Sequence, residues 1–342
     1  MREIKPNKKN IFSKFFIKIC RFFGFEIIDQ SNFTAPVSNK SLNESLSVPG
    51  KRSITLPLGE IKITRKVKSF DVILRTCMTV NMLTQSKKRI FEKEKEEYTK
   101  RTLVSIIKSI NHAKIKFKET KFKIYVIDHN SQNDQMNMLK NILNNSQIDF
   151  EINTLNFNRY SKEIKKINEE NKEVTSNQKS NMSNIHQSII LSKEKCEDLT
   201  YFVEDDYLHK LNAVSEILFA YEKFSSLINS ELIICPTDYP YLYTRANDTK
   251  VFMGENRHWR KIDQTLCSFV MSKKIINNYY EELISMCKFE HYPFEKPLHN
   301  IYKKELCISP IPSLSVHFTN INSIYGLSPN VDWKKLWEEN ES

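Results

Sequence analysis

Residues 201–210 read YFVEDDYLHK, an apolar run that stops in three consecutive carboxylates, Glu204, Asp205 and Asp206. Neighbouring carboxylates repel each other, and more strongly where protein replaces water, so a cation, a proton or a basic side chain belongs beside them. The plainer alternative is that Asp205 and Asp206 cap a helix starting near Leu211, at the positive end of its dipole. Other chemically capable groups also close apolar runs: Arg75 and Thr76 follow FDVIL, and Asp128 ends KIYVID. Further on, Trp259 and Arg260 suit a sugar-bearing ligand, because aromatic faces stack on sugar C–H faces and guanidinium groups pair with phosphate or carboxylate.

These groups need elements that hold them together. KSFDVILRTCMTV reads as a buried strand, YTKRTLVSIIKSINHA as an amphipathic helix, KFKIYVIDHNSQND as a second strand, QMNMLKNILNNS as a helix and FEINTLNF as a short third strand. Such alternation is the pattern of an α/β fold with a mostly parallel sheet flanked by helices. Ligands gather at the carboxyl ends of strands in such sheets, where Arg75, Asp128 and the acidic triplet all fall.

The chain holds only five glycines, and Gly254 is the only one between residues 60 and 325. Neither G-x-G-x-x-G nor G-x-x-x-x-G-K-[ST] exists there, which argues against dinucleotide-binding dehydrogenases and P-loop enzymes. If the sheet binds a phosphorylated ligand, a hard divalent cation on carboxylate oxygens is the expected neutralising device.

The net charge of +11 over 342 residues is unevenly spread: residues 1–68 carry 14 Lys and Arg against 5 acids, and the other 274 carry 38 against 36. A nucleic-acid-binding body is therefore not expected. In IFSKFFIKICRFFGFEII, Phe12, Phe15, Phe16, Ile19, Phe22 and Phe23 recur at helical spacing, with Lys14, Lys18 and Arg21 on another face. A basic amphipathic helix over residues 1–28 either lies on an anionic membrane surface or packs on this chain or a second subunit. Residues 29–60 are polar and rich in Ser, Asn and Pro, as a linker would be. Seven scattered cysteines without C-x-x-C give neither a disulfide framework nor a zinc knuckle, and a reducing cytoplasm is the expected setting.

With these stretches in place, residues 69–320 resemble the nucleotide-sugar glycosyltransferases of the GT-A fold, family 2 type. FDVILRTC is similar to the opening strand near the nucleotide, IYVIDHNSQND to the strand whose terminal acid recognises the nucleoside, YFVEDDYL to the D-x-D motif, and SLSVHF to a late segment that can supply a metal-ligating histidine. The resemblance implies a nucleotide-binding set of Arg75, Thr76, Asp128, Asn184 and Asp205, and a Mn²⁺ or Mg²⁺ site of Asp206, His317 and Glu204. The motif departs from strict D-x-D: strand alternation would put Glu204 and Asp206 on one side, whereas an irregular strand end would give Asp205 to ribose and Asp206 to metal.

The implied activity is sugar transfer from a nucleotide-sugar donor to a glycan, lipid-linked or protein acceptor. Trp259 and Arg260 are expected to bind the acceptor. Asp263 is the expected base, chosen over Asp238 and Glu255 because it follows the Trp-Arg pair and precedes a returning apolar run. The expected organisation is 1–28 helix, 29–60 linker, 61–325 transferase domain and 326–342 C-terminal helix, cytoplasmic and peripheral on the inner membrane face. A catalytically silent scaffold needs the Phe face but not Asp206; a metal-dependent phosphoesterase would need a second acidic cluster.

Overall fold

The computed structural model describes residues 11–25, 27, 44–45, 51–52, 62–79, 89–244, 246, 248–319 and 321–341. Most of the expected linker lies outside them. The chain divides into an N-terminal unit, Met1–Lys62, and a body, Ile63–Ser342. The first unit contains helix α1 (Ile11–Phe22) and two paired two-residue strands, β1 (Glu44–Ser45) and β2 (Lys51–Arg52).

The first part of the body runs β3 (Ser69–Thr76), α2 (Lys95–Lys116), β4 (Lys121–Asp128), α3 (Asn133–Asn144), β5 (Asp149–Thr154), α4 (Phe157–Tyr160), α5 (Ser176–Lys195) and β6 (Leu199–Glu204). The second part runs β7 (Tyr207–His209), α6 (Ala213–Ile228), β8 (Ile233–Ile234), β9 (Val251–Met253), β10 (His258–Lys261), β11 (Phe269–Ser272), α7 (Lys273–Asn278), α8 (Tyr280–Lys288), α9 (Lys296–Tyr302), β12 (Cys307–Ile311), β13 (Ser315–His317) and α10 (Trp333–Glu339). Nine strands form one sheet in the order β5-β4-β3-β6-β11-β8-β12-β10-β9, with β11 and β10 antiparallel to their neighbours. The fold is thus α/β with a mostly parallel sheet. Helices α2, α3 and α6 pack together, as do α5, α7, α8 and α9.

Strand β3 is buried along its whole length and β6 up to Val203, as expected where helices cover both faces of a parallel sheet. Helix α2 turns Leu103, Ile106, Ile107, Ile110 and Ala113 inward at helical spacing. Helix α5 opens with a capping box, Thr175 accepting from the Gln178 N–H while the Gln178 side chain accepts from the Thr175 N–H. The exact register of β3 against β6 places Arg75 opposite Glu204.

Two expectations change. The helix expected near Leu211 starts at Ala213 with Asn212 at its N-cap, and β7 separates it from the acidic triplet, so Asp205 and Asp206 do not cap it. Trp259 is fully buried, with Phe224 edge-on at 6.4 Å. It sits in β10 between β9 and β12, so it serves the core and cannot stack on an acceptor from there. Its indole also explains the isolated Gly254, where a Cβ would stand 2.6 Å from Trp259 Nε1 and 2.8 Å from the Arg257 carbonyl oxygen. Gly254→Ala must therefore displace the indole or the hairpin backbone, and urea unfolding should show a loss of about 1–3 kcal/mol, as for other overpacked cores. An unchanged midpoint would mean that the hairpin yields freely.

Candidate functional site

Strand β6 ends at Glu204, and the turn that follows sends the three carboxylates different ways. Glu204 pairs with Arg75 Nη2 at 2.9 Å. Asp205 accepts from Lys95 Nζ at 2.6 Å, Thr99 Oγ1 at 3.0 Å and the Cys77 N–H at 3.2 Å. Asp206 meets Arg89 at 3.0 Å, Lys95 at 3.4 Å and His317 Nε2 at 3.5 Å. Glu204 thus pairs with Arg75 and is also a charge neighbour of His317, and Asp205 ties the end of β6 to α2 and to the end of β3.

Burial alone would push the Asp206 carboxyl up; Lys95, then His317 and Arg89, outweigh burial and hold it well below the usual carboxylate range. Burial likewise opposes the imidazolium of His317, yet Asp206 raises that group above its ordinary value. The Tyr207 ring stacks flat on His317 at 4.5 Å, its partner across the β13–β7 pair. His317 Nδ1 lies 2.8 Å from the Tyr325 carbonyl and donates to it, which leaves Nε2 facing Asp206 Oδ1.

That arrangement tests the metal expectation. Among the described residues, no group of three or more His, Cys, Asp or Glu side chains could hold an ion by itself. Asp206 and His317 nevertheless face one another, and the carbonyl-fixed Nδ1–H is the outer support that metal-binding histidines use. Two protein donors fit Mg²⁺ or Mn²⁺ when ligand phosphates and water supply the rest.

The other flank lies over β3 and β4. Asp128 accepts from Thr76 Oγ1 at 2.7 Å, Ser131 Oγ at 2.6 Å and the Ser131 N–H at 3.1 Å. Asn184 Nδ2 donates to the Ile127 carbonyl at 3.0 Å, and its buried Oδ1 has no hydrogen-bond partner among the described residues. Arg75 reaches Asn181 at 3.0 Å. His129 stacks on Phe157 at 5.1 Å and shares a 2.5 Å hydrogen bond with Ser180; burial, partly offset by Asp128, lowers its pKa. A groove of about 510 Å³ runs from Phe157 past Thr175 and Ser176 to Lys179. Arg75, Thr76, Asp128 and Asn184 therefore share one strand-end region, to which His129 and Ser180 are added by the fold. His186 is a buried helix residue with its ring tilted against Tyr160 at 4.9 Å.

The expected acceptor groups are dispersed. Arg260 pairs with the buried Asp238, lies over the Tyr243 ring at 4.6 Å, and shares Asp238 with the Tyr243 hydroxyl. Asp263 is exposed beyond β10, with Tyr241 and His299 as charge neighbours. Glu255 pairs with Lys116 on the surface at 3.3 Å.

A carboxylate that sequence reading missed is better placed. Glu295, immediately before α9, is half-buried and has Glu204 and Arg75 as its charge neighbours. Burial, reinforced by Glu204 and opposed by Arg75, raises its pKa to about 7. The charged stretch before α5 holds this segment. Lys165 N–H donates to the Lys288 carbonyl at 2.8 Å, Asn168 Nδ2 to Glu290 at 3.3 Å and to the Tyr292 hydroxyl at 2.9 Å, and Lys296 to Glu169 at 3.1 Å. No motif marks Glu295 in PFEKPLHN; its only sequence signal is an acid just before a helix.

Neither a protein-family model nor a curated protein sequence matches the chain. Solved structures with a similar chain course include a UDP-glucose pyrophosphorylase complexed with UDP-glucose, at 9% identity, covering 80% of this chain and 97% of that one, TM-score 0.37. The galactosyltransferase LgtC with donor and acceptor sugar analogs aligns at 9% identity over 79% and 94%, TM-score 0.35. Mouse xyloside xylosyltransferase 1 in its apo form aligns at 9% over 69% and 76%, TM-score 0.38.

The Glu295 shift has a definite sign. A carboxyl with a folded pKa above its unfolded value binds more protons when folded, so its contribution to stability falls as pH rises from about 4.5 to about 7. The full shift corresponds to about 3 kcal/mol, and water at the half-exposed edge reduces this to about 1–2 kcal/mol. Denaturant unfolding should therefore show Glu295→Gln gaining that much on wild type between pH 4.5 and 8. Parallel pH curves for the two proteins would place Glu295 in an ordinary solvated setting.

Proposed function

We propose that the body is a glycosyltransferase of GT-A type that moves a sugar from a nucleotide-sugar donor to a hydroxyl of a glycan, lipid-linked or protein acceptor. The observation that carries this reading is the convergence at the strand ends of Asp206 facing His317 and Arg75 paired with Glu204, with Glu295 as a charge neighbour of that pair. Thr76, Asp128 and Asn184 border the nucleoside, with the His129–Phe157 stack beside them. In this reading Arg75, paired with Glu204, meets a donor phosphate or sugar. Arg260 and the partly exposed Tyr243 form the acceptor rim in this reading. Asp206 and His317 would hold Mn²⁺ or Mg²⁺, which when bound supplies positive charge to the departing diphosphate.

In the transfer, the acceptor oxygen bonds to C1 of the sugar as the C1–oxygen bond to the β-phosphate breaks. The nucleoside diphosphate leaves with that electron pair. The acceptor's proton passes to a carboxylate, and Glu295 takes this role in place of Asp263. A pKa near 7 suits it, since an effective base must be unprotonated at working pH yet retain affinity for the proton. A base in this position implies inversion at C1.

Asp206 tests the donor site. Thermal unfolding with UDP, GDP, CMP and TDP, each with and without Mn²⁺, should single out a nucleotide whose stabilisation depends on the metal, by about 2.7 kcal/mol at a hundred times its dissociation constant. Asp206→Asn keeps the shape and should abolish the metal-dependent part. Stabilisation by none of the nucleotides in a folded protein would overturn the donor-site assignment and favour the silent scaffold.

Once a donor is known, Glu295→Gln should lower kcat by about 10²–10⁴ with nucleotide binding retained. A loss of that size in Asp263→Asn instead would return the base to the β10–β11 connection.

A further inference from the structure

Helix α1 has one side built for something other than water. Ile11, Phe12, Phe15, Phe16, Ile19, Phe22 and Phe23 are all exposed, five of them by 64% or more, and none of the twelve residues of α1 is buried. At 100° per residue these seven fall within one arc of about 140°. Lys14, Lys18 and Arg21 occupy the adjoining arc, and Ile17, on the far side, is half-buried. The apolar arc is thus the side left open. Phe22 and Phe23 pack edge to face at 5.4 Å and extend it past the last turn, where Phe25 is 70% exposed.

Charge decides among the possible occupants. Residues 1–23 contain seven Lys and Arg and one acid, and α1 itself contains no acid. A second copy would bring cations against cations beside the paired apolar faces, which opposes self-association. An anionic lipid surface accepts both features, Phe rings at the boundary between headgroups and acyl chains and Lys and Arg among the headgroups. Twelve residues are far too few to cross a bilayer, and among the described residues no helix is long and apolar enough to do so.

We infer that α1 is an in-plane anchor that binds the surface of an anionic bilayer through its Phe face, with Lys14 and Lys18 paired to lipid phosphates and Arg21 adding to the basic flank. This anchor does not depend on the donor-site reading of the body. It bears on the acceptor, because a transferase held at a membrane meets lipid-linked or membrane-borne hydroxyls first.

Flotation of the full chain with phosphatidylcholine vesicles, and with the same vesicles containing phosphatidylglycerol, tests the anchor. Binding should require the anionic lipid and weaken as salt is raised. Neutralising Lys14, Lys18 and Arg21 to Gln should cost about fivefold in partitioning per charge, on the order of a hundredfold together. Replacing Phe12, Phe15, Phe16 and Phe22 with Ser should abolish binding even at low salt. Both variants should keep the wild-type unfolding midpoint and nucleotide response, since every change lies outside the body.

Three outcomes would overturn the inference: no flotation of wild type at low salt, flotation unchanged by both variants, or light scattering showing an oligomer that only the Phe variant dissolves. The last would give the face to a second copy.

Discussion

Asp205 and Asp206 sit where the body would be least tolerant of unbalanced charge, in a buried turn between the central strand β6 and the small β7–β13 pair. Lys95 touches both, Arg89 and His317 complete Asp206, and Thr99 and the Cys77 N–H complete Asp205. The contacts come from the start of α2 (Lys95 and Thr99), from Arg89 just before it, from Cys77 after β3 and from His317 in β13, so neutralising two carboxylates also fixes these segments. Losing one partner of such a cluster leaves a buried charge uncompensated, typically at about 3–5 kcal/mol. The site's geometry is for this reason inseparable from the fold's stability.

An aromatic layer shields the cluster from outside. Phe91, Tyr98, Phe318 and Trp337 pack together, with Phe91 stacked on Trp337 at 4.3 Å, Arg89 over Tyr98 and Arg101 over Trp337. The C-terminal helix α10 supplies Trp337, so the last residues of the body are bound to its charged centre. Trp333 and Trp337 stand at i, i+4 spacing, which marks one face of a helix but carries no sign that its docking surface is the residues enclosing Asp206.

What the sequence made legible follows from how local each signal is. The alternation of apolar strands and amphipathic helices is local, and the α/β sheet follows from it. The strand-end positions of Arg75, Thr76, Asp128 and Glu204 are also local. Lys95 was hidden because it stands in KEKEEYTK, a run that reads as a solvated helix face until β6 and β13 close over it. Glu295 was hidden for a related reason: only the packing of α8 and α9 beside α5 brings it to Arg75 and Glu204. Trp259 misled in the opposite direction, since an aromatic residue beside an arginine looks alike in a binding rim and in a buried strand. The lone Gly254 was the available clue that a large ring lay against backbone there.

Charge balance also frames how a diphosphate could enter. Glu204, Asp205 and Asp206 are already matched by Arg75, Lys95, Arg89 and His317, so the cluster offers a phosphorylated ligand little net positive field of its own. Lys95 cannot turn outward cheaply, because Asp205 would be left buried with only neutral donors. Asp206 is the more adaptable member: among the described residues one oxygen is shared by Arg89 and Lys95, and the other faces His317, at 3.5 Å. That is the edge at which a divalent ion could be accommodated without dismantling the cluster, provided the ligand brings its own negative charge. On the reading proposed above, donor and metal would then enter as one nearly neutral unit, and binding of either alone would be weak.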